Sequence, residues 1–271
     1  MSDWAKVPEL RPEDVRVFLR EITAELPAGS RVLDAGCGPG SWNYADTPNL
    51  RIDGFDVLPL KPAKPWRPGV HWFRGDLARL PIRDHVYDAL LVHYVFEHVT
   101  ELEACADECL RVLKPGGLLY VSVPRAAAFD DRFYRFAGYF AKYALMKFGK
   151  RIEHQQRFDF HTVVDLFYAR GLRLTATARV PAGFSWMNDA RTKPLQGGFT
   201  DALAELHRTF GWDLAKDANF VLTFEKTGEV GFRHVTHVCR ECGEHAVVGP
   251  GEGSTWLCPY CGKPNPFGRS R

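Results

Sequence analysis

Short apolar runs recur along the chain at "RVLDAG" (31–36), "RIDGFDV" (51–57), "VHWFR" (70–74), "YDALLVHY" (87–94), "GLLYVSVP" (117–124), "LRLTATARV" (172–180) and "NFVLTFEK" (219–226). Several are separated by helical patterns, such as Glu101 to Leu113 and Thr162 to Arg170, and a further amphipathic helix is expected from Arg11 to Leu26, ahead of Pro27. Strands alternating with helices predict an α/β fold built on a doubly wound sheet. A chain of 271 residues has room for one such domain and a small appendage. The expected division is 1–226 for the large domain and 227–271 for the small one.

Two stretches break the alternation. "DVLPLKPAKPWRPGV" carries four prolines where a crossover helix would stand, which predicts an extended loop. The segment 181–216 is a long, aromatic-rich insertion, read together with 126–156 as cover over a site.

Composition narrows the function classes. The 45% hydrophobic and 25% charged residues match a soluble globular protein, and no apolar run approaches the ~20 residues needed to span a bilayer. The N-terminal stretch lacks an apolar core behind a basic end, so a cytoplasmic location is expected. A net charge of +2 is too weak a bias to indicate nucleic acid.

The first run leads into "VLDAGCGPG", where Asp34 closes the strand and Gly36, Gly38 and Gly40 follow at alternate positions. Glycines let a backbone approach a ligand without Cβ clashes, and a helix N-terminus after them would add oriented N–H groups. An acid ahead of the first glycine suits a cationic or hydroxyl-rich ligand better than a pyrophosphate. Asp56 ends the second run, where a carboxylate can accept both hydroxyls of a ribose, and Asp76 follows the third in "FRGDLARLP". Three acids at three strand ends make a nucleoside cradle.

Together with "YDALLVHYVFEHV" and "ECLRVLKPGGLLYVSVP", this pattern resembles the class I S-adenosylmethionine-dependent methyltransferases, and within them the small-molecule branch. The resemblance runs from Arg31 to Val123 and more loosely to Lys226. It implies a Rossmann-like methyltransferase sheet whose last strand is antiparallel. It also implies that Gly36, Gly38 and Gly40 line the cofactor, with Asp34 at its amino-acid end. By the same resemblance Asp56 holds the ribose, Asp76 with Leu77 brackets the adenine, and His93 lies beside the methionine part. The proline-rich loop departs from the family pattern at the adenine-side wall.

Methyl transfer from a sulfonium is a displacement, so alignment matters most, with a base where the acceptor is a hydroxyl. Candidate bases are His98 in "FEHV", His154 in "RIEHQQRF" and His161 in "DFHTV", with Glu97 as a supporting partner. The segment 132–151 projects as a basic amphipathic helix with Phe133, Phe136, Phe140, Tyr143 and Phe148 on one face. Such a helix serves as a lid or as a peripheral membrane contact, and it does both if the acceptor is lipid-linked.

Near the C-terminus, "CRECG" and "CPYCG" place Cys239, Cys242, Cys258 and Cys261 in the spacing of a tetrahedral structural Zn²⁺ site, a zinc ribbon. Four thiolates saturate the metal and leave no open position for catalysis. The ribbon carries five Lys or Arg against four acids and few aromatics, which favours docking on the catalytic domain or a protein partner over nucleic acid. Cys105 and Cys109, one helical turn apart, read as buried core thiols.

The sequence therefore predicts a methyltransferase of a small-molecule, saccharide or lipid-linked acceptor, acting at oxygen, with S-adenosylmethionine as cofactor and structural zinc. Two alternatives stay open: an RNA or tRNA methyltransferase whose ribbon captures substrate, and a non-catalytic cofactor-binding assembly protein.

Overall fold

Each apolar run becomes a strand of one sheet. The computed structural model describes residues 15–59, 69–124, 156, 158–180, 198, 202, 205–206, 209–210, 219–228, 235–241, 245–248, 255–258 and 263–266. Strands β1 (Arg31–Ala35), β2 (Arg51–Asp56), β3 (His71–Arg74), β4 (Tyr87–His93), β5 (Leu113–Pro124), β6 (Leu172–Val180) and β7 (Asn219–Lys226) form a 7-stranded sheet in the order β3-β2-β1-β4-β5-β7-β6. Pairings among β1 to β5 are parallel, and β7 inserts antiparallel between β5 and β6. The antiparallel last strand is what the family resemblance implied.

The central strands are apolar on both faces because both are covered. Helix α1 (Val15–Ala24) lays Phe18, Leu19 and Ile22 on one face, against Val32, Ile52, Leu91, Tyr120 and Val221. Helices α2 (Leu102–Val112) and α3 (Phe160–Tyr168) cover the other, where Cys105, Cys109, Val164 and Phe167 pack with Leu33, Leu90, Leu119 and Phe224. Cys105 and Cys109 are thus the buried core thiols expected. The Asp159 carboxylate caps α3, accepting from Thr162 N at 2.8 Å and Thr162 Oγ1 at 2.9 Å, and Gly171 at φ 77° follows the helix. Arg170 ties α3 to α2 through Glu103 and Asp107. Among the described residues no helix is long and apolar enough to cross a membrane.

One expectation fails. No α-helix follows the glycine-rich turn; between β1 and β2 there is only a 3-10 turn, Tyr44–Asp46, capped by Asn43. Pro39 and Pro48 bracket this short connection, and the chain instead folds down onto Asp34. The loop's N–H groups, and not a helix end, are what a ligand would meet. The proline-rich connection after β2 lies mostly outside the described residues. So do the segments 126–156 and 181–216, apart from Gln156 and a few positions between 198 and 210.

The C-terminal residues form two antiparallel hairpins, β8 (Val235–Val238) with β9 (His245–Val248) and β10 (Thr255–Leu257) with β11 (Pro264–Pro266). Strand β9 lies against α3. Cys239, Trp256 and Cys258 are buried in the same cluster as the α3 face of the sheet, so the hairpins share the large domain's core.

Close packing predicts one strong intolerance. A Cβ added at Gly54 in β2 would sit 2.1 Å from the ring of Trp72, its register partner on β3. Gly54→Ala should therefore destabilise the fold by about 1–3 kcal/mol, read as a fall in the urea midpoint at unchanged slope.

Candidate active site

The parallel sheet reverses winding between β1 and β4, since the chain runs outward from β1 to β2 and β3 and returns to β4 on the other side. Crevices at the C-terminal ends of strands at such a reversal are where open α/β sheets bind ligands. The glycine-rich turn stands there. Gly36 and Cys37 both donate their backbone N–H to Phe55 O, at 2.8 and 2.9 Å, which stitches the turn to β2. Gly36 (φ 70°) has no room for a side chain, because an added Cβ would lie 2.3 Å from Val95 Cγ2. Gly38 (φ 47°) faces open space, and nothing lies within 4 Å of an added Cβ. The turn is packed on one side and clear on the other.

Asp34 is fully buried under this turn. Its Oδ1 accepts from Ser41 Oγ at 2.6 Å, and its Oδ2 accepts from Ser41 N at 3.0 Å and from the Tyr44 hydroxyl. Burial raises its pKa, and the Ser41 and Tyr44 bonds oppose that rise. Asp34 therefore anchors the loop from below, with its oxygens aimed at Ser41 and Tyr44.

Asp56 is placed differently. Its Oδ2 accepts from Gly38 N and its Oδ1 from Leu58 N, each at 2.8 Å. Each carboxylate oxygen keeps a second lone pair for an incoming hydroxyl. Val57 and Leu58, both 59% exposed, present an apolar surface immediately beyond it. Asp76 is exposed in a tight turn, its Oδ1 accepting from Ala78 N at 2.9 Å. The Leu77 side chain is taken up by the core, 5% exposed, in the cluster that holds Phe55.

His93 ends β4 opposite Ser122 of β5. Its Nδ1 lies 2.8 Å from Ser122 Oγ and 3.4 Å from the Tyr120 hydroxyl. Tyr94 then takes a left-handed backbone conformation, φ 56°, that an L residue adopts only where its surroundings hold it. The restraint is Ser122, whose carbonyl and hydroxyl oxygens both accept from Tyr94 N at 3.1 Å.

The 3-10 turn Phe96–His98 follows. Glu97 is 2% exposed, and its Oε2 has no hydrogen-bond partner among the described residues. Burial pushes its pKa up to about 8. Its Oε1 lies 4.0 Å from His98 Nε2, too far for a hydrogen bond. Gln156 clamps the turn, donating its N–H to Glu97 O at 3.1 Å and its Nε2 to Val99 O at 3.2 Å. His161 is the second residue of α3, with its side chain outside the described residues, as is all of His154.

The structure thus gathers Asp34, Gly36, Gly38, Gly40 and Asp56 into one hydrogen-bonded loop cluster, with His93 and the Glu97–His98 turn after the neighbouring strand. Sequence reasoning missed Ser41, Tyr44, Ser122 and Gln156, which hold these groups in place. Only Ser122 had a signal, since pairing β4 with β5 sets it beside His93.

At the C-terminus, Cys239 and Cys258 are 1% and 0% exposed, while Cys242 and Cys261 lie outside the described residues. No group of three or more metal-ligating side chains is found among the described residues.

Residues 33–121 match the family model described as a methyltransferase domain. The demethylmenaquinone methyltransferase of Paenarthrobacter aurescens is 35% identical over 101 residues, which is 36% of this chain and 40% of that protein. The trans-aconitate 2-methyltransferase of Methylobacterium nodulans is 33% identical over 135 residues, covering 46% of this chain and 51% of that one. The matches thus span about half or less of these relatives. A solved S-adenosylmethionine-dependent methyltransferase from Archaeoglobus fulgidus superposes with a TM-score of 0.52 at 15% identity, over 79% of this chain and 94% of that chain. The fold is the Rossmann-like α/β fold of methyltransferases.

Proposed function

We propose that this chain is an S-adenosylmethionine-dependent methyltransferase acting on a small-molecule acceptor, saccharides and lipid-linked intermediates included, with oxygen as the methylated atom. The observation that carries the reading is Asp56, a carboxylate at a strand end with lone pairs to spare, beside a glycine turn that is open on the ligand side. The match of residues 33–121 to a methyltransferase domain supports it, as do relatives named for small acceptors.

The residues fit the cofactor. Asp56 would receive the ribose hydroxyls, and the exposed Val57 and Leu58 would meet the flat apolar base that follows the ribose. The backbone around Gly38 would approach the amino-acid end, in the frame that Asp34 holds rigid through Ser41 and Tyr44. S-Adenosylmethionine would supply an electrophilic methyl on a sulfonium. The protein's part is to align the acceptor and to take up a proton where the acceptor is a hydroxyl. The Glu97–His98 turn is the element proposed for that: His98, partly exposed, is the candidate base, and the buried Glu97 stands next to it in the turn. His161 and His154 are the further candidates.

The CxxC spacing carries the further proposal of a structural Zn²⁺ in the C-terminal hairpins. Cys239 and Cys258, the leading cysteines of the two knuckles, are both buried in the core that the hairpins share with α3 and the sheet. In the proposal Cys242 and Cys261 complete a tetrathiolate, and the ribbon braces the large domain through β9 and α3.

Titration calorimetry of the full chain with S-adenosylmethionine, and with bulk RNA at two salt concentrations, tests the reading. Micromolar cofactor binding and no RNA affinity is the expected result. Salt-sensitive RNA binding that disappears on deletion of 227–271 would transfer the assignment to an RNA methyltransferase. No cofactor binding at all would overturn both.

A further inference from the structure

Asn265 lies on β11, between two prolines, with no local pattern to mark it. It is 1% exposed, and its amide makes three hydrogen bonds. Oδ1 accepts from Arg240 N at 2.8 Å, while Nδ2 donates to Lys263 O at 3.0 Å and to Cys239 Sγ at 3.2 Å. Lys263 O in turn accepts from Cys258 N at 2.9 Å. One buried side chain therefore spans both knuckles: it holds the backbone just after Cys239, the sulfur of Cys239, and the carbonyl that orders Cys258.

A neutral thiol is a weak acceptor, and an amide N–H spent on one in a buried site contributes little. A thiolate is a strong acceptor, since hydrogen bonds to charged partners are shorter and about twice as strong as neutral ones. Four thiolates around one Zn²⁺ leave a net charge of −2 to be offset, and a buried N–H aimed at sulfur offsets part of it. Partners of this kind orient metal ligands, and losing one typically costs about 10–100-fold in metal affinity.

We infer that Asn265 is the positioning residue of the C-terminal metal site, donating to the Cys239 thiolate and tying it to the carbonyl that orders Cys258. The inference rests on the zinc reading above. Asn265 touches sulfur and backbone, so it acts through Cys239 and not as a ligand itself.

The test uses the full-length chain. Zinc content of the wild type comes first, with about one Zn²⁺ per chain expected; a wild type that retains no zinc and whose C-terminal thiols react freely overturns the zinc reading and this inference together. With zinc present, competition against a chromophoric chelator should show Asn265→Ala and Asn265→Asp weaker by about tenfold to a hundredfold, with Asp the worse because it sets a negative charge beside the thiolate. Replacement of zinc by Co²⁺ gives a readout that packing alone would not move. The sulfur-to-cobalt charge-transfer band should shift in Asn265→Ala, while the d–d bands keep their tetrahedral pattern. Affinity within threefold of wild type and an unshifted band would overturn the role of Asn265 and leave the zinc reading standing. Should both variants fail to fold, the wild type still decides. In ¹¹³Cd-substituted, ¹⁵N-labelled protein the Asn265 side-chain amide proton should couple to the metal through sulfur, and absence of that coupling would count against the hydrogen bond itself.

Discussion

Asp56→Ala should lower affinity for S-adenosylmethionine by about 100-fold or more while leaving the fold intact. In the proposed site the carboxylate would accept two charge-assisted hydrogen bonds from the ribose, each worth about 1.5–3 kcal/mol, so their joint loss would remove at least ~3 kcal/mol, or two decades in Kd. The same carboxylate also accepts from Gly38 N and Leu58 N, so its removal frees two backbone donors. Leu58 is 59% exposed and water can serve it, which limits the cost in stability to about 1 kcal/mol. Calorimetric titration paired with a thermal melt separates the two effects. Asp76→Ala is the natural comparison, since that carboxylate is exposed and serves a turn, and a smaller loss is expected there. Affinity within threefold of wild type for Asp56→Ala would remove Asp56 from the cofactor site.

The second large effect concerns Glu97 and its sign depends on pH. Burial raises the folded-state pKa from 4.5 to about 8, so between those values the folded protein binds a proton that the unfolded chain releases. The favourable contribution of the neutral carboxyl is complete below about pH 4.5, is lost as pH rises, and is gone above about pH 8. Gln is isosteric and neutral throughout. Glu97→Gln should match wild type near pH 4 and exceed it near pH 8 by a margin on the order of 4 kcal/mol. Urea unfolding of both proteins at the two pH values checks this, and the difference between them cancels every other titrating group. A variant less stable than wild type at both values would mean that Oε2 has a partner worth more than its desolvation.

The strands were legible because a parallel sheet covered on both faces imposes continuous apolar runs, and the limits of β6 and β7 coincide with the runs at 172–180 and 219–226. The acids at strand ends were legible for a related reason, since a charge that closes an apolar run stands out. The fate of each acid was not. Asp34 and Asp56 look alike in sequence, yet one is closed off by Ser41 and Tyr44 and the other keeps capacity for a ligand. That difference follows from a loop that replaces the expected helix, and loops leave no periodicity to read. Glu97 was readable as a charged residue in a turn, but its isolation is a matter of three-dimensional burial. Asn265 was invisible because two of its three partners, Cys239 and Arg240, lie far away in sequence.

Gln156 gives the fold a mechanical asymmetry. Residues that lead into α3 are pinned to the turn bearing Glu97 and His98, and α3 leans on β9 of the C-terminal hairpins. The glycine-rich turn, by contrast, is stitched to β2 through Phe55 and braced from beneath by Asp34. The hydrogen bonds that hold the glycine-rich turn and those that hold the Glu97–His98 turn therefore come from different elements. Helix α3 and one glutamine are thus the elements that stand between the C-terminal hairpins and the Glu97–His98 turn.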